Sequence, residues 1–239
     1  MDRPTLFAIH YSPWSIRARW ALDHHGIDYE YREHTPLLGE APLRWRAKRA
    51  GVPGRVSVPI LFHSGGACSD SWDIIRYADM NGHGPSLQTN DPYVASWFPR
   101  LEPAYDAGRR RLTRAILNDE GALLETAEAT VPSWLAGPAK PLASIGVRFI
   151  GRKYQFDLDV TDNLRPLTNA LDDIRKALKG KNTIYKTFSA ADMAAACLVG
   201  TFSPHGSVAV GDAVRSIWHH PQLSKDYSDL VAWRDELMA

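Results

Sequence analysis

His10-Tyr11-Ser12-Pro13-Trp14-Ser15 is the stretch whose reading decides the fold. It joins a β-rich run, residues 5–9, to a run at helical spacing, residues 15–25, and so reads as the turn from a strand into a helix. A helix start leaves backbone N–H groups unpaired at the positive end of the macrodipole. Hydroxyls placed there suit an anion such as a thiolate. Further on, Val58-Pro59-Ile60 sets a proline after a β-branched residue at the head of a short apolar strand, a position for strand entry or a cis turn. Asp70-Ser71-Trp72-Asp73-Ile74 then opens a second helix with a carboxylate and a hydroxyl. Together the three segments describe a site for a thiol.

Outward from this turn, short β-rich runs alternate with helical ones, the pattern of an α/β unit. The reading is strand 5–9, helix 15–25, strand 29–33, an irregular helix over 39–50, strands 59–62 and 66–69, and helix 71–79. The turn-rich Asn81-Gly82-His83-Gly84-Pro85 marks a domain boundary. From residue 91 the spacing is helical, over 91–118, 160–178, 189–200 and 222–238, with Pro99 and Pro103 expected to kink or divide the first. Residues 132–154 mix Pro, Gly and apolar side chains and take no assignment. Phe188-Ser189-Ala190-Ala191-Asp192-Met193 reads as a capping box and staple: Ser189 accepts from the Asp192 N–H, Asp192 reaches back, and Phe188 packs on Met193.

Among 239 residues, 44% apolar and 23% charged are the proportions of an ordinary globular chain, long enough for two domains. The net charge of +1 provides no global field for nucleic acid or an anionic membrane. The basic cluster Arg109-Arg110-Arg111 with Arg114 reads as a solvated helix face. Cys68 and Cys197 lie far apart, without metal-ligand or dithiol spacing, which fits a reducing cytoplasm. His24-His25 and His219-His220 point apart on a helix, so no metal is expected. The charged start, Met1-Asp2-Arg3-Pro4, predicts neither a signal peptide nor a membrane span.

These motifs, in this order, resemble the glutathione S-transferases. Arg17-Ala18-Arg19-Trp20-Ala21-Leu22 and Gly26-Ile27-Asp28-Tyr29-Glu30 look like the first helix and second strand of that family, and residues 188–193 resemble the start of its buried helix. The resemblance implies an α/β thioredoxin-like domain over 1–84 that binds glutathione, and an all-helical domain over 91–239 that shapes the second-substrate pocket. It also implies a homodimer, glutathione and a small apolar electrophile as substrates, and no metal cofactor. The expected reaction is thiolate attack on an electrophilic carbon. A glutathione-dependent isomerase, an ether-cleaving enzyme and a non-catalytic ligand-binding or protein-interaction member are the alternatives.

By the same resemblance Ser12 occupies the position of the activating hydroxyl, with Tyr11 and Ser15 as rivals and Ser15 also expected to cap the helix. Glutathione would be held by Tyr11, Pro13, Trp14, Ser15, Val58, Pro59, Asp70 and Ser71. Val58-Pro59 would bind the cysteinyl backbone as an added strand does, and Asp70-Ser71 the γ-glutamyl end. Arg46, Lys48 or Arg55 would take the glycyl carboxylate. Trp14, Tyr105 and Arg109 would line the pocket for the electrophile.

Overall fold

A computed structural model describes residues 3–36, 38–130 and 163–239. The first strand, β1 (Thr5–Ala8), runs through the 9–12 turn into α1 (Pro13–His24). Pro13 starts that helix because a first-turn residue has no intrahelical use for its N–H. At the other end Gly26, with φ +62°, closes a Schellman turn in which Ile27 N–H reaches Leu22 C=O and Gly26 N–H reaches Asp23 C=O. The chain continues through β2 (Glu30–Glu33), α2 (Glu40–Arg49), β3 (Ile60–His63), β4 (Gly66–Cys68) and α3 (Ser71–Asn81). The expected irregular helix at 39–50 is a regular one, because Leu43 and Ala47, one turn apart, both bury on the sheet.

Strand order is β2-β1-β3-β4, with β1 parallel to β2 and antiparallel to β3. The register Phe7↔Ile60 and Leu6↔Leu61 sorts the side chains by alternation. Phe7, Ile60 and Phe62 pack with Leu43, Ala47 and Val56 on the α2 face. Leu6, Ala8 and Leu61 are buried on the other face, where α3 meets β3 and β4 and packs on α1.

Two compact units form: Met1–Arg100 with Ala177–Cys197, and Leu101–Lys176 with Leu198–Ala239. The boundary falls inside α4 (Pro92–Asn118), which runs on undivided through Pro99 and Pro103. Both prolines lie one turn apart on the exposed stripe, so the carbonyls they leave unpaired can be hydrated, while Val94, Trp97, Phe98 and Leu101 bury the opposite stripe.

The turn-rich segment after α3 is pinned within the first unit. Asp79 accepts from Leu87 N–H at 2.7 Å, Thr89 Oγ1 at 2.6 Å and Thr89 N–H at 3.2 Å. His83 N–H bonds His25 C=O, and Gly84 passes so close to α1 that a Cβ there would lie 2.2 Å from the His24 carbonyl oxygen.

The other described helices are α5 (Glu120–Thr130), α6 (Arg165–Leu178), α7 (Ala190–Val199), α8 (Asp212–Trp218), α9 (Pro221–Asp226) and α10 (Ser228–Met238). Residues 132–154 and the 160–162 start of the expected helix 160–178 lie outside the described residues. The expected helix 222–238 is two, because Tyr227 leaves the helical conformation and donates its hydroxyl to Asp172 of α6 at 3.0 Å. Arg111 corrects the solvated-face reading: it is 8% exposed and bonds the Ile217 and Trp218 carbonyls at the end of α8. Glu125 accepts from the Ala213 and Val214 N–H groups at the start of the same helix, both at 2.9 Å. Side chains from elsewhere thus satisfy both ends of α8.

Every residue of α7 is buried, as its apolar circumference requires. Its capping box is built differently from the sequence expectation. Asp192 reaches back to Ser189 N–H at 2.9 Å, but the Ser189 hydroxyl donates to the same carboxylate at 2.7 Å and does not accept from the Asp192 N–H. The second carboxylate oxygen takes Ile184 N–H at 2.7 Å. Phe188 lays its ring against Trp20 and His24 of α1. Asp192→Ala strands three buried donors and is expected to cost about 2–4 kcal/mol, more than a lost cap alone. Urea denaturation measures it; a midpoint within error of the parent contradicts the assignment.

Candidate functional site

Sheet register brings the sequence-predicted segments to one end of the sheet. Because β1 runs antiparallel to β3 with Phe7 opposite Ile60, the 9–12 turn leaving β1 lies beside Val58-Pro59 entering β3. Because β4 pairs antiparallel with β3, Leu61 opposite Cys68, the chain leaving β4 returns to that same end and begins α3 at Ser71.

Ser12 is the N-cap residue of α1 in extended conformation, half-buried, and its side chain makes no capping bond. Its backbone is fixed on both sides, by Ser12 N–H to Ile9 C=O at 3.0 Å and Ile16 N–H to Ser12 C=O at 2.8 Å. The hydroxyl therefore sits at a helix N-terminus on a rigid turn without serving the helix. Ser15 does not cap α1 as expected. It lies in the first turn, fully buried, and its Oγ accepts from Ile9 N–H at 3.1 Å. It braces the turn. The half-buried Tyr11 rests edge-on against the His10 ring. Burial, and then the Glu33 carboxylate, push its phenol up to about 12, so it holds its proton through the neutral range.

The Val58-Pro59 bond is cis. Pro59 is buried and Val58 half-buried, packed on the α2-side core. Asp70 is the N-cap of α3, its Oδ1 accepting from Asp73 N–H at 2.9 Å. It is exposed, with a second carboxylate oxygen to offer a cation. Ser71 is 2% exposed, and its Oγ accepts from Arg17 Nε at 2.8 Å. An oxygen that accepts from a guanidinium still has its own proton to donate.

Arg17 was not singled out in the sequence. It is buried in α1, with its guanidinium 5.0 Å from the Phe98 ring centre, and it ties the second turn of α1 to the first residue of α3. The available signal was a cation on the stripe that buries Ala18, Ala21 and Leu22. A positive charge behind Ser71 favours an anion in front of it.

The remaining candidates are spread more widely. Arg46 stacks over Phe7 and Phe62 at 5.1 and 4.6 Å, while Lys48 and Arg55 are exposed. Trp14 is half-buried in the first unit; Tyr105, fully buried, and Arg109, paired with Asp106, belong to the second. Burial pushes the Cys68 thiol up to about 11, which leaves it a poor nucleophile at neutral pH. His220 Nδ1 accepts from Leu223 N–H at the start of α9, and among the described residues no three His, Cys, Asp or Glu side chains gather to hold a metal.

Residues 6–86 match the family model of the glutathione S-transferase N-terminal domain. A probable glutathione S-transferase of Solanum tuberosum is 35% identical over 93 residues, 39% of this chain and 41% of that protein. Glutathione S-transferase 3 of Glycine max is 33% identical over 118 residues, 46% of this chain and 51% of that protein. The matched stretch thus spans about two fifths to one half of the length of these relatives. In fold the chain is similar to a glutathione S-transferase of Methylobacterium radiotolerans solved with glutathione sulfonate, at 17% identity and a TM-score of 0.58, covering all of this chain and 91% of the other. A glutathione transferase of Phanerochaete chrysosporium is similar at 14% identity and a TM-score of 0.58, covering 98% of each chain. The architecture is the thioredoxin-like domain with a helical partner region. Over residues 6–86 the chain is thus similar to the N-terminal domain of the glutathione S-transferases, and over its length it shares their fold.

Proposed function

We propose that the chain is a glutathione transferase in which Ser12 donates a hydrogen bond to the glutathione thiolate and the thiolate attacks an electrophilic carbon of a small apolar substrate. The observation that carries this reading is the Ser12 hydroxyl at the start of α1, half-buried and not used as a cap, while Ser15 is bonded to Ile9 and Tyr11 keeps its proton. A free thiol has a pKa of about 8.5, and lowering it by about two units needs roughly 2.7 kcal/mol. One hydrogen bond to the anion supplies about 1.5–3 kcal/mol, and a helix N-terminus about 0.3–1. The two suffice. The Val58 backbone would pair with the cysteinyl part of glutathione, Pro13 and Trp14 would flank the thiol, and Asp70 and Ser71 would take the γ-glutamyl ammonium and carboxylate. We assign residues 1–84 to glutathione binding and 91–239, with Tyr105 and Arg109, to the second substrate. The setting is a cytoplasmic homodimer engaged in detoxification, with glutathione as co-substrate and no metal.

Calorimetry with glutathione, followed by turnover of an activated aryl halide, tests the reading. Binding without turnover of any electrophile would leave a binding protein. For the γ-glutamyl site the informative variant is Asp70→Asn, because asparagine keeps the cap on Asp73 N–H and removes only the charge. Glutathione binding is expected to weaken by roughly 1.5–3 kcal/mol, with melting unchanged. Equal affinity in the two proteins would move the ammonium elsewhere.

A further inference from the structure

The helix α2 carries Arg44, Arg46, Lys48 and Arg49 against a single acid, Glu40. Its inner stripe is spent on the sheet, with Leu43 and Ala47 at 2% and 0% exposure and Arg46 folded back over Phe7 and Phe62. Glu40 is turned inward at 6% exposure, beside His34. What faces water is therefore cationic, although the chain as a whole is nearly neutral: Arg44, Lys48 and Arg49 are all exposed. Arg44 keeps one long contact with Glu40, at 3.5 Å. Two large apolar side chains are exposed on or just before this helix. Trp45 on the helix is 62% exposed, Leu38 in the turn before it is 68% exposed, and the Arg49 guanidinium lies 4.7 Å from the indole centre.

Lys48 and Arg49 in the last turn offset the negative end of the helix dipole. That role explains neither Arg44 nor an exposed indole and leucine. Cations flanking a tryptophan on the outer face of a helix are the composition that binds the surface of an acidic bilayer, with the indole at headgroup depth and the charges on lipid phosphates. A second copy of the chain meeting this face about a two-fold axis would set like charges against each other. We propose that the outer face of α2 docks reversibly on an anionic lipid bilayer. This does not rest on the glutathione reading.

The test is co-sedimentation of the full chain with vesicles of pure phosphatidylcholine and of phosphatidylcholine and phosphatidylserine in equal parts. The protein is expected to pellet with the second and not the first, and to be released as salt is raised from low to physiological levels and beyond. Arg44→Glu with Arg49→Glu is expected to weaken the partition roughly tenfold or more, and Trp45→Ser alone to weaken it severalfold, while melting temperature and glutathione affinity stay at parent values. Equal pelleting with both vesicles, or variants that partition like the parent, would overturn the proposal. So would retention of duplex DNA by a protein that ignores acidic vesicles.

Discussion

Ser12→Ala is expected to lower aryl-halide conjugation by about fifty-fold at pH 6.5, with glutathione binding nearly unchanged. The size follows from thiolate fraction: a bound thiol moved by about two units, from about 6.5 to about 8.5, goes from half ionised to roughly one part in a hundred. The loss is therefore expected to shrink as pH rises and to be small above pH 9, since by then both proteins hold thiolate. A simple packing defect would not follow pH in this way. Ser12→Cys makes the complementary demand. A thiol at the start of α1 is acidified by the helix end and is expected to form a mixed disulfide with glutathione, giving disulfide-reducing activity that the parent lacks. Ser12 would be abandoned if the alanine variant kept the parental pH–rate profile and the cysteine variant gave no adduct by mass spectrometry. Tyr11 would be next, ahead of Ser15, whose oxygen already accepts from Ile9.

Asp79→Ala is expected to cost about 3–5 kcal/mol and to lower the melting temperature by roughly 10 °C, the largest stability effect in the first unit. Its carboxylate is 6% exposed and collects two backbone N–H groups and the Thr89 hydroxyl, with the buried His25 imidazole at 3.3 Å. Removing it strands those donors and frees the segment whose Leu87 carbonyl accepts Ala190 N–H at the start of α7. The pH dependence has a definite sign. Burial pushes Asp79 up, but the Thr89 and Leu87 donors and His25 outweigh it, and the group lies below its ordinary value of 3.8. Its contribution is present above that value and lost as pH falls through it. Burial, and then His24, depress His25 below 6.5, against an opposing pull from Asp79. A depressed imidazole withdraws stability as pH falls below 6.5. Asp79→Ala removes that pull, so the variant is expected to lose stability more steeply than the parent just below pH 6.5. Denaturation midpoints at pH 7.5, 6 and 5 measure this, and parallel curves would count against it.

The elements set by near neighbours were legible without coordinates. The 10–15 turn, the cis-capable Val58-Pro59, the Asp70 cap and the alanine-rich run after Ser189 all depend on backbone sterics and capping over a few residues. The same reasoning failed where burial overrode a local signal. Pro99 and Pro103 were expected to kink or divide α4, yet it is not divided: they fall on its exposed stripe while the other stripe buries the Trp97 and Phe98 rings. Residues 222–238 have unbroken helical spacing, but Tyr227 leaves the helix to reach Asp172.

In the site, sequence alone determined which residue types stand at the strand-to-helix turn, before β3 and at the start of α3, because those choices answer to helix ends and proline geometry. Only the tertiary structure decided what each one does. Ser15 and Ser12 are both hydroxyls in one turn, and the fold gives Ser15 to Ile9 and leaves Ser12 unused by the helix. Ser71 receives Arg17 across 54 residues of sequence. Asp79, unremarked as a carboxylate near a helix end, becomes the anchor of the segment after it. The reason is common to all of these. A buried polar group must find a partner, and which partner lies within about 3 Å is fixed by how the elements pack and not by what stands beside it in the chain.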